Sequence, residues 1–311
     1  MVKEQQSDLI YVFGHKSPDT DTICSSIAYA ELLKKMGKEA KPFRLGEINN
    51  ETKFVLEKFG VDVPELLESA KDKDVVLIDH NSFEESAEGI EEARIHAIID
   101  HHKMNFRYNE PITIITLPWG CTATIIATIY EHLGIEIEKK MAGLLLSAIL
   151  SDTVIFKSPT TTEKDKEWAE KLAKICGIDD ILAFGTEMFK HKSNLKDKTP
   201  REIILLDSKV LTTSSGKKIR VSQVEVVDDK EILEKKGELL KEMEKILEEE
   251  NLFGILLLVT NIMKEGSTML ILAKDLSLFE KAFNTEFKDN EAYLPGLMSR
   301  KKQVIPKIAD L

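Results

Sequence analysis

The chain has 311 residues, 42% of them hydrophobic and 31% charged. That is a globular balance, and the length fits two cores better than one. The net charge of -11 argues against a broad nucleic-acid-binding surface, and the longest apolar stretch, Leu252 to Val259, is too short to span a membrane.

In chain order, Leu9-Ile-Tyr-Val-Phe-Gly14 reads as a buried strand, too short an apolar run for a secretory leader. From Asp21 to Met36 the pattern predicts a helix with Ile23, Ile27, Ala30 and Leu33 on one stripe, ended by Gly37. Asp74 to Asp79 is a second buried strand and His96 to Asp100 a third. Helical patterns follow over 121–133 and 138–150, and another helix starts near Thr161 and ends at Gly177. This alternation predicts an α/β domain with a mostly parallel sheet covered by helices on both faces.

The composition changes at Lys190 to Pro200, a polar, lysine-rich stretch without periodicity. It is expected to link a first domain, 1–189, to a second, 201–311. The second half carries strand-like runs at Lys218–Val227, 254–259 and 267–273 around an acidic helix, Asp228 to Glu250. Ile232, Leu233, Leu239, Leu240, Met243, Ile246 and Leu247 form that helix's apolar face, and its glutamates form a solvated one. The expectation is a smaller α/β domain with a mixed sheet.

Three cysteines, Cys24, Cys121 and Cys176, stand far apart with no CxxC pair. Neither a disulfide framework nor a zinc–thiolate site is expected, and reduced thiols suit the cytoplasm.

Chemistry concentrates where strands end. His15-Lys-Ser-Pro-Asp19-Thr-Asp21 lies between the first strand and its helix, on the sheet edge where ligands bind in open α/β folds. A helix cap accounts for one of its carboxylates but not for the second, nor for the histidine. Asp79-His80-Asn81 ends the second strand and Asp100-His101-His102 the third, so both arrive at the same edge. Singly, each Asp reads as a turn or cap residue. Ser151-Asp152 follows an apolar helix and, alone, also reads as a cap. Together these carboxylates and imidazoles, without thiolates, suit manganese, cobalt or iron better than structural zinc. Two divalent ions would neutralise Asp19, Asp21, Asp79 and Asp152. Near the end of the chain, the basic run Ser299-Arg300-Lys301-Lys302-Gln303 follows the apolar turn Leu294 to Met298. It is either a solvated turn or a grip for a polyphosphate anion.

The order His-x-x-Pro-Asp-x-Asp, Asp-His-Asn, Asp-His-His resembles the DHH phosphoesterase superfamily. The ending Ser-Arg-Lys-Lys-Gln narrows the resemblance to the manganese-dependent family II inorganic pyrophosphatases. It covers nearly the whole chain, including Gly120-Cys-Thr-Ala-Thr124 and Leu146 to Asp152. The resemblance implies a DHH catalytic domain followed by a DHHA2-like substrate-binding domain. It implies hydrolysis of pyrophosphate to two phosphates by a hydroxide bridging two metals. One metal would be held by His15, Asp19 and Asp79, and the other by Asp21, Asp79, His101 and Asp152. Both would be Mn²⁺ or Co²⁺, with Mg²⁺ arriving on the substrate. His102, Lys209, Arg300 and Lys301 would touch substrate, with Lys198 and Lys217 competing for the place of Lys209. Asp100 would orient a ligand histidine, while His80 and Asn81 receive no ligand role. Relatives of this kind are often homodimers. A DHH-type phosphodiesterase acting on short oligonucleotides or nucleotide bisphosphates is the alternative, but the Gly-Gly-His-like motif usual there is missing from this sequence.

Overall fold

The computed structural model describes residues 9–192, 195 and 198–311. The chain divides into two compact units, Met1–Met188 and Phe189–Leu311.

The first unit runs β1 (Ile10–Phe13), α1 (Thr20–Lys35), β2 (Ala40–Arg44), α2 (Asn50–Phe59), β3 (Glu65–Leu66), β4 (Asp74–Ile78), β5 (Arg94–Asp100), β6 (Thr113–Thr116), α3 (Thr122–His132), α4 (Lys139–Asp152), α5 (Glu163–Cys176) and most of α6 (Ile181–Lys192), which continues past Met188. Six parallel strands lie in the order β3-β2-β1-β4-β5-β6. The central strand β4 is apolar after Asp74, with Val75, Val76, Leu77 and Ile78 all buried, as expected of a sheet covered on both faces.

Register fixes the site. Phe13 pairs with Leu77, and Leu77 with Ile98, so β1, β4 and β5 end level with one another. The strand order reverses between β1 and β4, and a crevice opens at such a reversal. Gly37 ends α1 with φ +79°, as its position predicts.

Two features were not anticipated. The connections between strands hold β2, α2, β3 and the edge strand β6, all short and partly exposed. After α4, Val154, Ile155 and Phe156 have φ values of +52°, +52° and +64°. Three consecutive non-glycine residues in the left-handed region, two of them β-branched, cost on the order of 1–3 kcal/mol each. Burial of Val154 and Ile155 holds them there.

The second unit contains α7 (Pro200–Leu205), β7 (Ser208–Thr212), β8 (Lys218–Val226), α8 (Lys230–Glu234), α9 (Lys236–Glu249), β9 (Gly254–Asn261), β10 (Gly266–Ala273), α10 (Leu276–Phe283), β11 (Glu291–Pro295), a wide π-type turn at Arg300–Val304 and α11 (Ile305–Ile308). Its sheet, β11-β10-β9-β8-β7, is mixed: β8 and β9 are parallel and the other neighbours antiparallel. One apolar layer joins Leu239, Met243 and Ile246 of α9 to Ile255 and Leu257. The other joins Phe279 and Phe283 of α10 to Leu256 and Leu258. The single acidic helix expected over 228–250 is two helices broken at Lys235, just before Gly237, a residue of poor helix propensity. In the expected linker, Lys190–Lys192 end α6, and Thr199 caps α7 with Pro200 in its first turn. Residues 193, 194, 196 and 197 lie outside the described residues.

Candidate metal centre

Asp19 is the N-cap of α1: its Oδ1 accepts from the Thr22 N–H at 2.9 Å. Capping and metal binding do not compete, because Oδ2 faces His15 Nε2 at 3.6 Å. Asp21, in the first turn of α1, is fully buried. It acts in trans on the start of α3, accepting from the Thr122 N–H at 2.7 Å and the Ala123 N–H at 3.2 Å. Cys121, the N-cap residue of α3, offers no side-chain cap, so the Asp21 carboxylate takes that role.

Asp79 follows β4 with φ +62°, a conformation Asp tolerates better than most residues. Thr22 Oγ1 donates to one of its oxygens at 2.8 Å and Thr122 Oγ1 to the other at 2.9 Å. His15 Nε2 lies 3.5 Å from Oδ2, and His101 Nε2 lies 3.5 Å from Oδ1. His101 also stands 3.6 Å from Asp152, the last residue of α4. Its Nδ1 lies 3.0 Å from the Trp119 carbonyl, which can only accept. The proton therefore sits on Nδ1, and Nε2 keeps the lone pair that a metal needs.

The electrostatics fit a site that binds cations. Burial works against the protonated form of His15, but the Asp19 and Asp79 carboxylates outweigh it and raise its pKa to about 11. Burial first, then the charge of Asp79, push Asp21 up to about 7. Burial also pushes Asp79 upward, yet the His15 hydrogen bond with His102 and His101 leaves it below its usual value. Buried carboxylates need compensating positive charge.

Among the described residues three donor groups form, each with its atoms within 4.8 Å of one another: His15, Asp19 and Asp79; Asp21, Asp79, His101 and Asp152; and Asp79, His101 and His102. Asp79 belongs to all three. Oxygen and imidazole donors without thiolate fit first-row divalent cations.

Asp100 accepts from the backbone N–H and Nδ1 of His102, at 3.1 and 2.9 Å, while the Trp119 carbonyl holds His101. These contacts, with Asn81 donating to Asp100, hold its pKa at about 2 against the upward push of burial. His80 is buried between the Ile78 carbonyl and Ser86 Oγ, and burial lowers its pKa.

The basic run of the second unit is solvated at Lys301 and Lys302 but not at Arg300. Arg300 is 2% exposed. Its guanidinium donates to the Asp207 carbonyl at 2.8 Å, the Asp207 carboxylate at 2.7 Å and the Val221 carbonyl at 3.2 Å. Gln223 Oε1 accepts from its backbone N–H at 2.9 Å, while Gln303 Oε1 holds the N–H groups of Met298 and Ser299. Arg300 Nε, also buried, meets no acceptor among the described residues. Lys301, and Lys209 on β7, are exposed.

Two family models match: "DHH family, N-terminal domain" over residues 9–149 and "DHHA2 domain" over 186–311. The manganese-dependent inorganic pyrophosphatase of Methanocaldococcus jannaschii is 48% identical over 96% of this chain and 97% of its own length. The enzyme of that name from Bacillus subtilis is 43% identical, over 97% and 98%. The chain belongs to the manganese-dependent inorganic pyrophosphatase family. A crystal structure ascribed to a Methanococcus jannaschii family II inorganic pyrophosphatase superposes with a TM-score of 0.79 at 48% identity, covering 96% of this chain and 98% of that one.

Within this pyrophosphatase chain, several supporting groups escaped the sequence reading. Thr22 and Thr122 hold Asp79, and the Trp119 carbonyl sets the His101 tautomer. Asp165, fully buried on α5, accepts from Gly120 N–H and Thr124 Oγ1 and so shapes the loop carrying Trp119 and Thr122. Gly120-Cys-Thr-Ala-Thr124 was a visible signal, but nothing in it named a partner for its hydroxyls.

Proposed function

We propose that the protein hydrolyses inorganic pyrophosphate to two phosphates at a two-cation centre. His15, Asp19 and Asp79 would hold one ion, and Asp21, Asp79, His101 and Asp152 the other. The observation that carries this reading is the sharing of Asp79 by two donor groups, each within 4.8 Å. Two bound divalent cations would supply Lewis acidity and a water acidic enough to attack phosphorus at neutral pH. The rest falls to the chain. Thr22 and Thr122 fix Asp79, and the Trp119 carbonyl holds His101 Nδ1 so that Nε2 faces Asp79 and Asp152. Asp100 aligns His102, whose side chain is 42% exposed and would face a phosphoryl oxygen.

The cations are Mn²⁺ or Co²⁺, because imidazole donors favour them over Mg²⁺, which serves on the substrate. Lys209, Arg300 and Lys301 would neutralise the phosphate that leaves; the exposure of Lys209 and Lys301 supports this, whereas Arg300 is buried against Asp207. The buried, unpaired thiols of Cys24, Cys121 and Cys176 suit the cytoplasm. The uncharged edge strand β6, with Ile114 exposed, suits pairing in a homodimer.

The test is phosphate release from pyrophosphate set against a panel of nucleotides and short oligonucleotides, in Mn²⁺ and in Mg²⁺. Pyrophosphate should be the preferred substrate by orders of magnitude. Preference for a phosphodiester would reverse the assignment.

A further inference from the structure

Glu51 is the second residue of α2 and is 1% exposed. Its Oε2 accepts two hydroxyl hydrogen bonds, from Thr20 Oγ1 at 2.8 Å and from Ser151 Oγ at 2.7 Å. Neither donor is a metal ligand, but each sits beside one in the chain. Thr20 stands between Asp19 and Asp21 at the start of α1, and Ser151 precedes Asp152 at the end of α4. A single carboxylate oxygen therefore joins two helix ends that are 131 positions apart in sequence, Thr20 to Ser151.

The joint is itself anchored. Asn49 caps α2, its Oδ1 accepting from the Thr52 N–H at 2.8 Å and from Thr52 Oγ1 at 3.1 Å. Thr52 Oγ1 in turn lies 3.1 Å from Thr20 Oγ1. Burying a carboxylate in such a place is costly, and an apolar side chain would fill the space without that cost. What an apolar residue could not do is fix Thr20 and Ser151 to a common point.

We propose that Glu51 is a positioning residue of the metal centre, holding the Asp21 end of α1 and the Asp152 end of α4 at the separation one cation requires. The inference rests on the metal reading above. It also carries an asymmetry: Asp21 and Asp152 belong to the same four-residue donor group, whereas the group of His15, Asp19 and Asp79 takes only Asp19 from this neighbourhood. Loss of Glu51 should weaken the four-residue site and spare the three-residue one.

The test is Mn²⁺ binding to the chelated full-length protein, by calorimetry or equilibrium dialysis, for the parent, Glu51→Ala and Glu51→Gln. Glu51→Ala should weaken one of the two sites by on the order of 10-fold or more, the usual effect of removing a group that orients ligands, and leave the other within a few-fold. Combined with Asp152→Ala it should add little, because both act on one site, whereas with Asp19→Ala the losses should sum. Glu51→Gln should stay within a few-fold of the parent, because one amide oxygen can accept both hydroxyls. Parent-like affinity at both sites in Glu51→Ala, with only a lower melting temperature, would overturn the proposal. So would equal losses in Glu51→Gln and Glu51→Ala, which would make the charge, not the bridge, responsible. If Glu51→Ala does not fold, Thr20→Val and Ser151→Ala each remove one arm; smaller losses at the same site support the proposal, and unmoved affinities refute it. A parent that binds no Mn²⁺ pair would instead fail the metal reading.

Discussion

Asp79 Oδ2 stands 3.5 Å from His15 Nε2, and Asp79 reaches that point from a left-handed backbone, φ +62°. The turn after β4 throws the carboxylate back across the sheet edge, where its other oxygen meets His101 at 3.5 Å. Asp79→Asn tolerates this backbone and should fold with a near-parent melting temperature. It should nevertheless lose affinity for both cations and on the order of 10²-fold or more in kcat/KM. Asp19→Ala should weaken one cation only. Metal analysis after dialysis distinguishes the two; equal retention of metal by Asp79→Asn and the parent would remove Asp79 from the bridging position.

A second expectation concerns a residue without a side chain. A Cβ on Gly120 would lie 2.7 Å from Asp165 Oδ2 and 2.9 Å from Thr153 Cγ2, both firmly held. Gly120→Ala should destabilise the first unit by about 1–3 kcal/mol. Because the same loop carries the Trp119 carbonyl and Thr122, Mn²⁺ affinity should fall too. Denaturant titration and metal binding read the two effects separately.

The third concerns Arg300. Arg300→Ala should retain both tight cations and lose on the order of 10²-fold in kcat/KM. Arg300→Lys should recover little, since an ammonium cannot reproduce the fork that reaches Asp207 and the Val221 carbonyl at once. Steady-state kinetics on metal-replete protein decides this. Unchanged hydrolysis in either variant would take Arg300 out of the substrate site.

The strands that carry the ligands were legible because they are buried on both faces and therefore almost wholly apolar, as in Val75 to Ile78. Ligands at their ends stand out against such runs. Of the elements that were missed, β2 and β6 are short and half-exposed, so their residues follow no strong period; α2 does have a buried stripe, but Glu51 and Thr52 make half of it polar. Glu51 and Asp165 were invisible for a different reason. Each is an ordinary acid near a helix start, and only the tertiary fold buries it beside hydroxyls from distant segments. The burial of Arg300 was not legible, because nothing in Ser-Arg-Lys-Lys-Gln reveals that Gln223 and Asp207, far back in the chain, close around it.

Acid should unfasten one joint of the second unit. Asp229 is buried, and Lys264 Nζ reaches its two oxygens at 2.7 and 3.0 Å. Burial pushes its pKa up, but the bonds from Lys264 and Asn261 bring it below the usual value. A depressed folded-state pKa stabilises above the unfolded value, about 4, and the contribution is lost as pH falls through the folded one. Asp229→Asn should therefore cost on the order of 1 kcal/mol at pH 7. That cost should shrink below about pH 4. Urea titrations of both proteins across this range give the difference, and a cost independent of pH would exclude an ionic origin.

The most direct measurement is a titration of the exhaustively chelated protein with Mn²⁺, following bound metal and phosphate release from pyrophosphate together. The predicted result is two tightly bound ions per chain, with full activity appearing only as the second site fills. Full activity in Mg²⁺ alone, with no transition metal detectable, would contradict it.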